Sequence, residues 1–186
     1  MRRWIALVLA LLLLTGCGMK NKEMDTAMAF RQKLLSSHGC SFDAVITADY
    51  GDKIQTFSMF CKVDAVGNLK FTVTDPKTIS GIEGEISEQS AAITFDDKVL
   101  AFEPIIDDVI SPVTAPWILI HTLRSGYVTS SGKDGDNIRI AIDDSYKEDA
   151  LHLDIWLTQE KVPVRGEILW KGRRTLSVDV RNFTFM

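Results

Sequence analysis

Residues 40–63 read CSFDAVITADYGDKIQTFSMFCKV, and this stretch decides the fold. Phe42, Ala44, Ile46 and Ala48 alternate with Asp43, Thr47 and Asp49, and Phe57, Met59 and Cys61 alternate with Thr56, Ser58 and Lys62. A period of two sends one set to one face of a strand and the other set to the opposite face. Gly51-Asp52 between the two runs is a hairpin signal. With Gly51-Asp52 as the loop, Phe42 faces Cys61 and Cys40 lies one diagonal step away. A loop at Tyr50-Gly51 would set the cysteines opposite each other, but would also set Asp49 against Asp52. Either register gathers both apolar sets on one face and brings Cys40 near Cys61. A Cys40–Cys61 disulfide is expected; a pair of buried free thiols is the alternative.

Strands continue outward from this hairpin. Leu69, Phe71 and Val73 alternate before an Asp75-Pro76 turn, and further candidates lie at Gly81–Ser87, Ala91–Phe95 and Lys98–Phe102. Beyond a polar loop at Ser130–Asp136, Ile138, Ile140 and Ile142 alternate, then Leu151, Leu153, Ile155 and Leu157. Val164–Trp170 and Thr175–Phe185 complete the meander.

Two helices interrupt the strands. Met24–His38 carries an apolar stripe of Met24, Ala27, Met28, Phe30, Leu34 and Leu35, with Gly39 as its stop. Ser111-Pro112 reads as an N-cap with proline at the first helical position. The helix it opens, up to Arg124, contains Val113, Ala115, Trp117, Ile118, Leu119, Ile120 and Leu123 and is apolar nearly all round. Such a helix must be covered on most sides. The fold class is therefore α+β: a long antiparallel sheet, curved around an N-terminal helix and a central apolar helix that lie against its greasy face.

The first residues give an address. Arg2 and Arg3 precede an apolar run from Trp4 to Leu14, closed by Leu14-Thr15-Gly16-Cys17. A basic start, a short greasy core and small residues before a cut make a secretory signal peptide. The run is shorter than the ~20 apolar residues that span a bilayer. The stretch resembles a bacterial lipobox, which places the cut before Cys17 and lipid on that cysteine. The expected organisation is a signal peptide at 1–16, a lipidated tether at 17–22 and one domain at 23–186. A covalent acyl lipid on Cys17 is the sole non-protein group expected. The expected location is the cell envelope, outside the cytoplasm, on the outer face of the cytoplasmic membrane or on the outer membrane.

Composition sets further bounds. The formal charge is −4, and loss of Arg2 and Arg3 makes it −6. A negative globule is a poor partner for nucleic acid, whose affinity comes largely from Lys and Arg on phosphates. Cys40 and Cys61 lie where disulfides persist, and two cysteines without a nearby second histidine supply too few ligands for zinc.

The order of elements resembles the outer-membrane lipoprotein carrier and receptor superfamily across almost all of residues 17–186. The N-terminal helix leading to the hairpin at Phe42, Ile82-Glu83-Gly84 in mid-sheet, the helix at Ser111–Leu123 and the Pro163–Phe185 ending carry the likeness. The resemblance implies an unclosed half-barrel whose concave face and lid helix enclose an apolar cavity for acyl chains. Its expected lipid-binding residues are Phe42, Ile46, Phe57, Met59, Phe71, Val73, Trp117, Ile118, Ile120, Ile140, Leu153 and Ile155; plain core packing is the alternative for each. Soluble carriers keep an arginine on an early strand that holds the lid shut, and residues 41–63 contain none.

Catalytic chemistry has little to rest on. His38, His121 and His152 are the only histidines, and no Gly-x-Ser-x-Gly elbow occurs. Gly126–Lys133 departs from a phosphate loop by one residue of spacing, and Asp134 stands where Ser or Thr is needed. The pairs Asp96-Asp97, Asp107-Asp108 and Asp143-Asp144, and the run Asp134-Gly135-Asp136-Asn137, read as solvated turns; Ile138 falls where a calcium loop needs oxygen. No catalytic or metal-binding residue is expected. The leading function is a membrane-anchored, non-enzymatic protein that binds lipid or lipoprotein acyl chains between sheet and lid. The alternative is an anchored interaction or regulatory module with a filled core. Expected partners are the membrane, a lipid or lipoprotein ligand, or an envelope protein.

Overall fold

The computed structural model describes residues 22–96, 98–103, 105–106 and 109–186, with backbone alone for 105, 106 and 109. The signal peptide, Cys17 and the tether up to residue 21 lie outside the described residues. The chain forms helix α1 (Lys22–Ser36), strands β1 (Gly39–Asp49), β2 (Ile54–Asp64), β3 (Leu69–Asp75), β4 (Glu83–Ile86), β5 (Ala91–Phe95) and β6 (Lys98–Ala101). A small ribbon of β7 (Ile105–Ile106) and β8 (Val109–Ile110) and a 3-10 turn (Pro112–Thr114) lead to helix α2 (Ala115–Ser125). Strands β9 (Tyr127–Asp134), β10 (Asn137–Asp143), β11 (His152–Leu157), β12 (Pro163–Trp170) and β13 (Arg173–Phe185) follow.

Eleven strands make one antiparallel sheet in the order β6-β5-β4-β3-β2-β1-β13-β12-β11-β10-β9. The chain steps outward from β1 to β6, crosses through α2 and steps inward from β9 until β13 pairs with β1. The edges β6 and β9 do not pair with each other, so the sheet stays unclosed. The hairpin adopts the Gly51-Asp52 register, with Phe42 opposite Cys61 and Asp49 opposite Ile54. This avoids a like-charge Asp49–Asp52 pair.

The two cysteines do not form the expected disulfide. Cys40 faces Val63, Cys61 faces Phe42, and both are buried free thiols. Burial pushes the Cys40 thiol up to about 12 and the Cys61 thiol well above its ordinary value.

Three boundaries also differ from the sequence reading. Ser130–Asp136 is no loop: Tyr127–Asp134 is a strand, because β10 offers it a partner edge despite its polar composition. The first helix ends at Ser36, and Gly39 opens β1 at φ +140, where an added Cβ would strike the Val63 carbonyl. Pro112 opens the 3-10 turn rather than the α-helix. Neither Ser111 nor Thr114 caps with its side chain, and Thr114 Oγ1 instead donates to Ser111 O at 2.6 Å.

Both helices pack on the concave face. From α1, Ala27, Phe30 and Leu34 point inward, and Phe30 meets the rings of Phe183 and Phe185 with centroids 6.1 and 5.9 Å away. Among the described residues no helix is long and apolar enough to cross a membrane.

Candidate functional site

The concave face is built from rows that run across the strands. One row joins Ile140, Ile155, Gly166, Val178, Ile46 and Phe57. Gly166 leaves a pit in this row, and Leu119 of α2 fills it; an added Cβ at Gly166 would come within 2.6 Å of Leu119 Cδ1. Helix α2 is thus a plug seated in the sheet. Its buried residues include Ala115, Ile118, Leu119, Ile120 and Leu123, as an all-round apolar helix requires.

Core packing takes up most of the expected lining. Phe42, Ile46, Met59, Phe71, Val73, Ile118, Ile120, Ile140, Leu153 and Ile155 each expose 4% or less. A side chain lining a void wide enough for a hydrocarbon tail would have surface open to that void. These residues belong to one buried cluster that also holds Leu119 and Leu123 of α2. Phe57 is barely more open, and Trp117 is half-buried.

A second row leads out of the core. Phe42, Cys61, Phe71, Gly84, Ile93 and Leu100 are successive cross-strand partners from β1 to β6. Phe42 at one end is buried, Ile93 is half-buried, and Leu100 at the other end is 68% exposed. Phe95 shares the face of Ala91 and Ile93 on β5 and is 55% exposed. The apolar wall therefore continues past α2 and emerges at the β5–β6 hairpin. Alternation along β5 sets Ile93 and Phe95 on one face, and pairing with Ile93 puts Leu100 of the unalternating Lys98–Ala101 there too; their exposure depends on where α2 stops covering the sheet.

Trp117 lies on the side of α2 that meets the β4–β5 connection. It stacks on His121, one turn along α2, with ring centroids 4.6 Å apart. His121 Nδ1 lies 3.8 Å from Glu88 Oε1 in the β4–β5 connection, which turns this side of the helix toward β4–β6. At the other end of the plug, Tyr50 donates its hydroxyl to Ile110 O at 3.1 Å, and burial pushes the Tyr50 phenol up. The candidate site is the seam between the Trp117 side of α2 and the β5–β6 wall.

Arginines hold the plug from an unexpected quarter. Arg31 of α1 donates Nε to Leu123 O at 2.7 Å, and Arg124 of α2 donates Nη2 to Ala65 O at 2.9 Å. Both act on carbonyls at helix or strand ends, where backbone acceptors lack partners. Burial lowers the Arg31 guanidinium from its ordinary value.

The remaining polar groups serve the convex face. Arg139 forks onto Asp154 at 3.0 and 2.6 Å, and His152 Nδ1 lies 2.6 Å from Asp143 Oδ1. Trp156 lies between Arg139 and Arg165, each just under 6 Å from its ring, and donates Nε1 to Asp134 Oδ2 at 2.7 Å. Among the described residues no three His, Cys, Asp or Glu side chains gather as metal ligands. His38 follows α1 at an exposed position, and its backbone N–H donates to Met186 O at 3.0 Å.

No family model matches the chain, and no curated protein matches it. Solved structures resemble the chain over most of its length. A putative outer membrane lipoprotein-sorting protein domain from Vibrio parahaemolyticus is 9% identical, with a TM-score of 0.48 over 87% of this chain and 91% of that one. The LolA superfamily protein NE2245 from Nitrosomonas europaea is 7% identical, with a TM-score of 0.44 over 86% and 93%. The lipoprotein LppX from Mycobacterium tuberculosis is 13% identical, with a TM-score of 0.43 over 87% and 93%. All three likenesses are at low identity, with TM-scores below 0.5.

Proposed function

We propose that the protein is an envelope lipoprotein, anchored through lipid on Cys17, whose half-barrel takes an acyl chain of a lipid or lipoprotein between α2 and the β5–β6 wall. The observation that carries this reading is the concave row that starts at buried Phe42 and ends at exposed Leu100. Soluble domains cover such a wall unless something else is meant to lie on it. Each Å² of apolar surface covered by a tail contributes about 25 cal/mol. The tail enters along Ile93, Phe95, Leu100 and Trp117, and it reaches the deeper residues only as α2 lifts. The chemistry is binding and release, without catalysis.

The test is uptake of a fluorescent fatty acid by the membrane-free domain. Leu100→Glu and Trp117→Asp, checked for native thermal unfolding, are expected to weaken uptake at least tenfold. Undiminished uptake in both variants would overturn the seam as the site. The anchor is tested separately by Cys17→Ser, which is expected to move the protein from the membrane fraction to the soluble one.

A second reading has its own support. The packed interior, with Leu119 seated over Gly166, fits a filled module that recognises an envelope protein through its surface. Native mass spectrometry separates the two: co-purifying acyl species favour the carrier, whereas a bare domain that also rejects added fatty acid favours the module.

A further inference from the structure

The outward face of α1 breaks the usual rule for a helix on a protein surface. Such a face is ordinarily charged. Here the exposed positions from 28 to 36 include Met28, 40% exposed, Leu35, 50% exposed, and the neutral Gln32 and Ser36. Met28, Gln32 and Leu35 follow one another at helical spacing along one side. Both cations in this stretch are drawn aside: Arg31 donates to Leu123 O, and Lys33 sits 4.3 Å from the centre of the Phe185 ring. The other charged side chains, Lys22, Glu23 and Asp25, are confined to the start of the helix. A shallow groove of about 390 Å³ lies along Met28, Arg31, Gln32, Leu35 and Ser36.

The chain itself says what meets this face. Helix α1 begins at Lys22, five residues beyond Cys17. Five residues reach at most about 18 Å even fully extended. A lipid on Cys17 therefore holds the start of α1 close to a bilayer. We infer that the Met28–Gln32–Leu35 face of α1 docks on the membrane surface, so that lipid anchor and helix together fix the orientation of the half-barrel. This rests on the proposed acylation of Cys17. An uncharged face suits a lipid interface that a chain of net charge −6 would otherwise approach poorly. Docking α1 gives the half-barrel one fixed pose, so the seam keeps a constant height above the membrane from which a tail would come.

The full acylated chain in phosphatidylcholine vesicles tests this. Met28→Cys and Leu35→Cys carry an environment-sensitive thiol label, and Val99→Cys on edge strand β6 is the control. Cys40 and Cys61 are buried and stay unlabelled. Doxyl-labelled lipids are expected to quench the labels at 28 and 35 several-fold more than the label at 99. Equal quenching at all three positions, with acyl groups on Cys17 confirmed by mass, overturns the docking and leaves the anchor standing. Labels shielded from water yet untouched by doxyl lipid would mean that a protein or a second copy covers the face, which also overturns it. A Cys17 without acyl groups overturns the anchor and the docking together.

Discussion

Arg31 and Arg124 each reach across to the end of the other's helix: Arg31 Nε donates to Leu123 O at 2.7 Å, and Arg124 Nη1 donates to Leu34 O at 3.4 Å. Arg124 also ties α2 to the β2–β3 turn through Ala65 O at 2.9 Å. The clasp puts cations against the carbonyl-rich ends of both helices. Among the described residues Arg31 Nη2 is buried without a partner, so the bond made by Nε must outweigh that desolvation. Hydrogen bonds from a charged donor contribute about 1.5–3 kcal/mol, less where water has access. Arg31→Met and Arg124→Met are each expected to lower Tm by about 2–6 °C for a domain of this size. The double variant should lose less than the sum, because both bonds join the same two helices. Thermal unfolding of the four proteins checks this; strict additivity would show that the two arginines act independently.

The buried thiols give a pH dependence of known sign. Cys40 is pushed up to about 12 from an ordinary 9.0, and Cys61 is raised well above 9.0, both chiefly by burial. The unfolded chain gives up these protons near pH 9 and the folded chain does not. The stabilising contribution is thus whole below pH 9 and drains away as pH rises toward 12. Urea midpoints should fall between pH 8 and pH 11, and Cys40→Ala should flatten that fall. A thiol reagent at pH 8 should find Cys40 and Cys61 silent in the native protein and two reactive groups after unfolding. A count of zero after unfolding would restore the disulfide.

Much of this was legible in the sequence, for reasons that differ between segments. The β1–β2 hairpin could be read because period-two alternation and a Gly-Asp turn agree; they left two registers open, and the structure takes the one with Phe42 opposite Cys61. The plug was legible because Ala115–Leu123 carries no charge that solvent could hold. Strand β9 was not, because an edge strand with Ser130, Ser131 and Lys133 owes its form to pairing with β10. The arginine clasp was equally hidden: Arg31 and Arg124 are 93 residues apart, and nothing local to either names the other. The open wall at Phe95 and Leu100 needed the length of α2 against the width of the sheet, which no local pattern encodes.

Two glycines under the core should respond differently to the same added methyl. At Gly84 a Cβ would collide with the Phe71 ring and come within 2.8 Å of the Ala92 carbonyl oxygen. A ring and a backbone atom yield little, so Gly84→Ala should cost about 2–3 kcal/mol. At Gly166 the contact is Leu119 Cδ1, the tip of a side chain that can rotate. Gly166→Ala should cost about 1 kcal/mol and loosen the plug. It should also speed fatty-acid uptake, which Gly84→Ala should leave nearer the parent rate. The reverse order in urea unfolding would mean that Leu119 is held more rigidly than the sheet beneath Phe71.

The last prediction concerns the convex face, where Asp154 is only 5% exposed yet charged groups surround it. Arg139 meets both its oxygens, and His152 Nε2 stands 3.5 Å from Oδ1. Hydrogen bonding to Asp154 is the chief cause that raises the Arg139 guanidinium above its ordinary value. Removing one partner of a fully buried pair costs about 3–5 kcal/mol, because the other charge is stranded. Arg139 is itself half exposed, so water reaches the site and the cost should shrink to about 1–3 kcal/mol. Asp154→Asn strands nothing, since the guanidinium can turn to solvent, and should cost less than Arg139→Met. Arg139→Lys keeps the charge but cannot offer two parallel N–H groups, and should fall between the parent and Arg139→Met. Urea midpoints of the three variants check the order. A lysine variant as stable as the parent would mean that charge alone, and not the forked geometry, keeps Asp154 in place.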